Sequence, residues 1–176
     1  MLILLLTAWT FIPDVPEKTD QPNQALLNNI KEQLDIVLPE QCHAAEDSIF
    51  NYTQTLVYSI DDEHTLYQVP CNSGAYNRKY AIFIGTKDRL QLHAFAKPST
   101  KKVDVMDAEI PDYVERNGMR TEYLLTNARF DINKQMLTEV SLGRGRGDMF
   151  RANRWIWGAD SFLLLESWED AEDDLK

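Results

Sequence analysis

Six consecutive residues, Gly143-Arg144-Gly145-Arg146-Gly147-Asp148, have the residue types best suited to binding chemistry in this chain. Three of the chain's seven glycines fall within five residues here. Glycine permits positive φ and close approach of the backbone to a partner. Between residues 143 and 154, Arg144, Arg146, Arg151 and Arg154 stand against Asp148 alone, a local charge of +3; with a net charge of −10, the remaining residues sum to −13. Guanidinium groups pair bidentately with carboxylates and phosphates. A basic loop on an acidic protein is therefore a candidate site for an anionic ligand. The stretch is not a phosphate-binding P-loop, because no Lys-Ser/Thr follows at the required spacing. Its Gly-x-Gly-x-Gly also departs from the G-x-G-x-x-G dinucleotide pattern. Arg146-Gly147-Asp148 matches an adhesion tripeptide, but three-residue matches arise by chance. An Arg–Asp-buttressed glycine turn between two strands would use the same residues for structure alone, so a ligand site and a structural turn both remain open.

Elsewhere the chemistry is sparse. The histidines are His43, His64 and His93, and none stands in a metal-binding spacing. Cys42 beside His43 would be a thiol nucleophile only if it stayed unpaired. His93 falls on the polar face of an expected strand and should face solvent. Asp61-Asp62-Glu63-His64 reads as a polar hairpin turn rather than a cation site. No G-x-S-x-G occurs. Asp104, Asp107 and Glu109 could supply a carboxylate pair for glycoside hydrolysis, but an acidic chain produces such clusters by chance. No catalytic constellation rises above background, and no cofactor motif is present. Trp155 and Trp157, two residues apart, share one face of an expected strand, with Arg154 adjacent. With Trp168, Tyr76 and Tyr80 they would form either an aromatic binding surface or, given the area each buries, part of the core.

The two cysteines, Cys42 and Cys71, are either bridged or buried as free thiols. A bridge would close a loop of about 30 residues and contribute roughly 3–4 kcal/mol.

The elements that would carry these residues are mainly strands. Asn23 to Leu38 is the best helix, with Leu26, Leu27, Ile30, Leu34, Val37 and Leu38 at helical spacing. Asp20 or Asn23 would cap it and Pro39 would end it. Strands are expected at 55–60, 65–69, 80–84 and 90–95. Pro98 to Lys102 should break the pattern, and residues 103–120 read as a long loop. Further strands or strand pairs follow at 123–125, 128–130 and 137–142, with a hairpin turn at 131–134. A final hairpin runs from 154 to 166 through Gly158-Ala159-Asp160. Strands at near-regular spacing, with no β-α alternation, predict a mainly β (α+β) fold: an antiparallel sheet, sandwich or barrel with one N-terminal helix.

The chain has 176 residues, one domain's worth, with 18 basic and 28 acidic residues. The acidic balance argues against nucleic acid as a partner, since phosphate affinity comes mostly from Lys and Arg. Residues 1–12 are apolar, about the length of a signal-peptide core and too short for a membrane span. They lack a basic n-region, so a signal segment, a buried first element and an uncleaved anchor compete. Residues 13–22 carry Pro13, Pro16 and Pro22 and read as a linker. The resulting division is 1–22 signal-like region and linker, 23–168 one β-rich domain, and 169–176 an acidic tail.

Val69-Pro70-Cys71, Gly74-Ala75-Tyr76-Asn77, Gly143 to Asp148, and Trp157-Gly158 before Phe162 occur in an order that resembles the C-terminal half of the bacterial domain-of-unknown-function family 1176. The resemblance spans about residues 38–168. It implies an exported protein and marks Tyr76, Asn77, Arg144, Arg146 and Asp148 as motif positions. It also implies a cysteine after the Gly-Asp, where this chain has Met149, and so leaves Cys42–Cys71 as the one retained disulfide. It implies no activity.

Together these observations predict a periplasmic or secreted, non-catalytic binding module. Its expected site is Arg144, Arg146, Asp148, Tyr76, Asn77, Arg154 and Trp157, with no metal and no cofactor. The expected partner is a protein or small anionic ligand of the cell envelope, with no nucleic acid and no stable membrane span. Two alternatives stand beside it: an acidic inhibitor or immunity-type protein that meets a basic hydrolase by charge steering, and an unrecognised hydrolase.

Overall fold

The computed structural model describes residues 22–42, 54–74, 76–103, 113–143 and 149–169. The expected signal-like segment, most of the 13–22 linker, His43, the acids 104–109, and residues 144–148 and 170–176 lie outside them.

Helix α1 (Gln24–Val37) starts where expected: the Asn23 side chain accepts a hydrogen bond from the Leu26 N–H at 2.9 Å, satisfying one of the orphan donors of the first turn. Its buried stripe is Leu27, Ile30 and Leu34. Among the described residues eleven strands follow: β1 (Leu56–Ser59), β2 (Thr65–Ser73), β3 (Arg78–Gly85), β4 (Leu90–Leu92), β5 (Phe95–Val103), β6 (Tyr113–Glu122), β7 (Leu124–Thr126), β8 (Arg129–Asp131), β9 (Met136–Gly143), β10 (Met149–Gly158) and β11 (Ser161–Glu169). All pairings are antiparallel. One sheet runs β1-β2-β3-β4, with β7 added on β3; a second is β11-β10-β9-β8; β5 and β6 form a separate ribbon. The sheets do not close into a barrel, and the α+β expectation holds.

Alternation along β3 builds the layers. Ile82 packs with Trp155, Phe95, Leu137 and Phe162, whereas Ala81 and Phe83 pack with Ile30 and Leu34 of α1. The first sheet is thus the middle layer, with the helix on one face and the β8–β11 sheet on the other. Cys42 and Cys71 are bonded to each other within the helix-side core. This bridge ties the chain just beyond α1 to β2. Gln33 adds a second tie, donating to the Leu90 carbonyl at 3.1 Å and accepting from the Leu92 N–H at 3.3 Å.

Four sequence expectations fail here. The single strand 90–95 is two strands, β4 and β5, parted at His93-Ala94. Pro98 does not end a strand but lies inside β5, and residues 113–120 of the expected loop belong to β6, its partner. Proline is tolerated where the ladder is interrupted, and the β5–β6 register shifts between Pro98 and Thr100. Opposite that irregularity Gly118 takes φ +81°, a conformation that favours glycine. His93 is not solvent-facing. Leu90 and Leu92 pack toward the helix, so His93, of opposite parity, turns to the other face of the sheet; that face is covered too, and the ring packs 4.7 Å from Phe95 and 5.6 Å from Phe162.

Candidate functional site

The strand β8 is short, and this shapes the site. It covers β9 only from Met136 to Thr138. Beyond it, the edge of β9 would expose unpaired backbone groups, and two asparagine side chains pair with them instead. Asn77 donates from Nδ2 to the Leu142 carbonyl at 2.7 Å and accepts at Oδ1 from the Leu142 N–H at 3.0 Å. Asn127 donates from Nδ2 to the Val140 carbonyl at 3.0 Å, and to Asn77 Oδ1 and the Tyr76 carbonyl at 3.1 and 3.2 Å. Its Oδ1 accepts from the Arg78 N–H at 2.9 Å. Asn127 has φ 46°, a left-handed conformation that asparagine tolerates better than most residues.

These bonds hold the turn between β2 and β3 against the end of β9. The next residues, 144–148, connect Gly143 to Met149, which face each other as paired residues of β9 and β10. The Tyr76–Asn77 turn is therefore fixed beside Leu142, the residue before Gly143. Arg144, Arg146 and Asp148 themselves lie outside the described residues.

Beside this junction is an open groove of about 960 Å³, lined among others by Tyr76, Arg78, Tyr80, Arg129, Thr138 and Leu142. The Tyr76 ring is exposed. Arg129 is exposed and has no ion-pair partner among the described residues. Asp131, the carboxylate on the same wall, is occupied by the 131–134 turn: it accepts from the N–H groups of Asn133 and Lys134, both at 3.1 Å.

The remaining expected residues divide. Arg154 sits directly across from Thr138, as Arg129 does from the other side, so both guanidinium-bearing residues flank one groove residue. Arg154 is engaged, bonding Glu166 at 2.5 Å and lying 4.9 Å from the Trp168 ring centre. Trp157 belongs to the core. It is 8% exposed, packs on Phe162 and His64, and donates from Nε1 to Asp61 Oδ2 at 3.2 Å. Trp155 is fully buried beside it. Asp61 closes the expected hairpin turn. Desolvation is the largest single influence and opposes its ionisation, but hydrogen bonds from the Glu63 N–H, the His64 ring and N–H, and Trp157 together outweigh it and hold its carboxyl below the usual range.

A second polar cluster escapes a motif search. Lys97 on β5, Glu139 on β9 and Asn153 on β10 are all buried. Lys97 Nζ donates to Glu139 Oε1 at 2.8 Å and to the Leu124 carbonyl at 3.4 Å. Glu139 also accepts from the Thr126 N–H at 2.8 Å and, at Oε2, from Asn153 Nδ2 at 2.9 Å. The signal that could have revealed it is parity. Lys97 shares the inward parity of Phe95, Glu139 that of Leu137, and Asn153 that of Trp155 and Trp157. Among the described residues, no group of three or more His, Cys, Asp or Glu is placed to hold a metal ion. No described helix is long and apolar enough to cross a membrane.

The chain is thus a mainly antiparallel α+β protein with a Cys42–Cys71 disulfide and a turn fixed to the end of β9 by Asn77. It matches the model described as Protein of unknown function (DUF1176) over residues 8–172. The chain belongs to that family, and the match reaches well before the 38–168 span that carries the motifs. No curated protein and no solved structure matches it.

Proposed function

We propose that this protein is an exported, non-catalytic binding module that holds an anionic ligand between the 144–148 loop and the adjoining groove. The observation that carries this reading is the reciprocal pair of hydrogen bonds between the Asn77 side chain and the Leu142 backbone. Through them the Tyr76–Asn77 turn is fixed two residues from the first arginine of the loop. Arg144 and Arg146 supply charge from the loop, and Arg129 and the Tyr76 ring receive the ligand from the groove wall. Guanidinium and aromatic surface together suit a carboxylate or phosphate carried on a partly apolar body. Asp148 is assigned to the same site, and Asn77 fixes the end of β9 from which the loop departs. Arg154 extends the charged row, while Trp157 supports the core beneath. The cystine supports a periplasmic or secreted location, because structural disulfides persist in oxidising compartments.

The test is calorimetric titration of the oxidised protein, at low salt, with a hexaglutamate peptide and with inorganic pyrophosphate. Wild type should bind at least one saturably. The double variant Arg144→Ala/Arg146→Ala and the single variant Arg129→Ala should each weaken it by about tenfold or more, about 1.4 kcal/mol, with melting temperature unchanged. Failure of wild type to bind either probe overturns the reading. So does a collapse of melting temperature in the double variant, which would make the loop a structural turn.

A further inference from the structure

The buried Lys97–Glu139–Asn153 cluster has no part in the proposed ligand site, and its composition is costly. Burying a charged pair is often no better for stability than packing apolar residues of the same volume. The cluster is also incompletely satisfied, since Asn153 Oδ1 is buried without a hydrogen-bond partner. What the three groups share is reactivity. A primary amine and a primary carboxamide are held on opposite oxygens of one carboxylate, at 2.8 and 2.9 Å. Trp155, Phe95 and Leu137, all fully buried, belong to the core around them, which excludes water.

We propose that Lys97 and Asn153 form an intramolecular isopeptide bond, with Glu139 as the proton shuttle. Transfer of a proton along the hydrogen bond from Nζ to Oε1 turns the ion pair into a neutral amine and a neutral acid. The free electron pair on Nζ then attacks Asn153 Cγ. The new Cγ–Nζ bond forms and the Cγ–Nδ2 bond breaks, its electron pair leaving with Nδ2. Two protons depart from the original ammonium. Both pass through Glu139 to the departing nitrogen, which leaves as ammonium, and Glu139 returns to carboxylate. No oxidant, cofactor or metal enters the balance. The Leu124 carbonyl and the Thr126 N–H hold the amine and the carboxylate in register from β7. The product joins β5 to β10 covalently, across two sheets.

Mass spectrometry of the purified wild-type chain, reduced and alkylated, tests this directly. The chain should be lighter than its sequence requires by one ammonia. Proteolysis should yield a branched peptide joining Lys97 to Asn153. The variant Glu139→Gln should retain the full mass and give the two peptides unlinked. A wild-type chain of full mass with separate peptides overturns the proposal, as does a missing ammonia that maps to any other residue. A branched peptide in Glu139→Gln equal in yield to wild type would remove Glu139 from the shuttle role. The wild-type peptide map needs no variant, so poor folding of Glu139→Gln leaves the test of the bond intact.

Discussion

His93 illustrates how much a single side chain depends on what covers the far face of its sheet. Its ring lies between Phe95 and Phe162, its Nε2 is buried without a partner, and burial pushes its pKa down to about 4. An exposed histidine in the unfolded chain titrates near 6.5. Above about pH 6.5 both states are neutral, and this group adds no pH dependence. As pH falls from about 6.5 to about 4, the unfolded chain takes up a proton that the folded chain refuses, so stability drops across that window. His93→Phe keeps the ring packing and removes the titration. Denaturant melts between pH 4 and 7 should show a shallower acid slope for this variant than for wild type, and equal slopes would mean that the ring is not buried as described. The sequence offered the alternation of Leu90 to Phe95 but not the break at Leu92. Residues 97, 139 and 153 were legible by parity, yet their polar chemistry hid them, because lysine, glutamate and asparagine at inward positions read as solvent-facing. Asn77 was marked by resemblance alone; its role as a substitute for a missing strand required the length of β8.

The hairpins declared themselves more clearly. Asp131 caps its turn with two backbone N–H bonds, and the 159–160 turn carries both residues at positive φ, as two-residue hairpin loops of the primed type require. The β5–β6 ribbon was unreadable because Pro98, a strand breaker by rule, coincides with a register shift that accommodates it. Helix α1 was legible end to end, but what fastens it was not decided by periodicity. The bond between Cys42 and Cys71, 29 residues apart, constrains the unfolded chain and should contribute about 3–4 kcal/mol. Reduction, or the double variant Cys42→Ser/Cys71→Ser, should lower the denaturant midpoint accordingly. The two samples should agree with each other; a midpoint unchanged by reductant would leave Gln33 and the apolar stripe as sufficient fastening.

At the scale of the whole molecule, each sheet is assembled from strands adjacent in sequence: β1 to β4, β5 with β6, and β8 to β11. Among the described residues, β7 alone pairs outside this order, reaching back to β3. That exception has a consequence in time. Contacts near in sequence form sooner, because less chain entropy is lost in closing them. The meanders therefore have a head start, and the β3–β7 pairing falls late, after the barrier. Asp131→Ala, which loosens a local turn, should slow folding. Leu125→Ala, which strips a buried side chain from β7 at a cost of about 2–5 kcal/mol, should instead speed unfolding and leave the folding rate nearly untouched. Stopped-flow chevrons separate the two, and a folding limb slowed by Leu125→Ala would reverse the order. The strand that pairs late is also the one whose backbone holds Lys97 and Glu139 in place, so the chemistry of the core waits on a late step of folding.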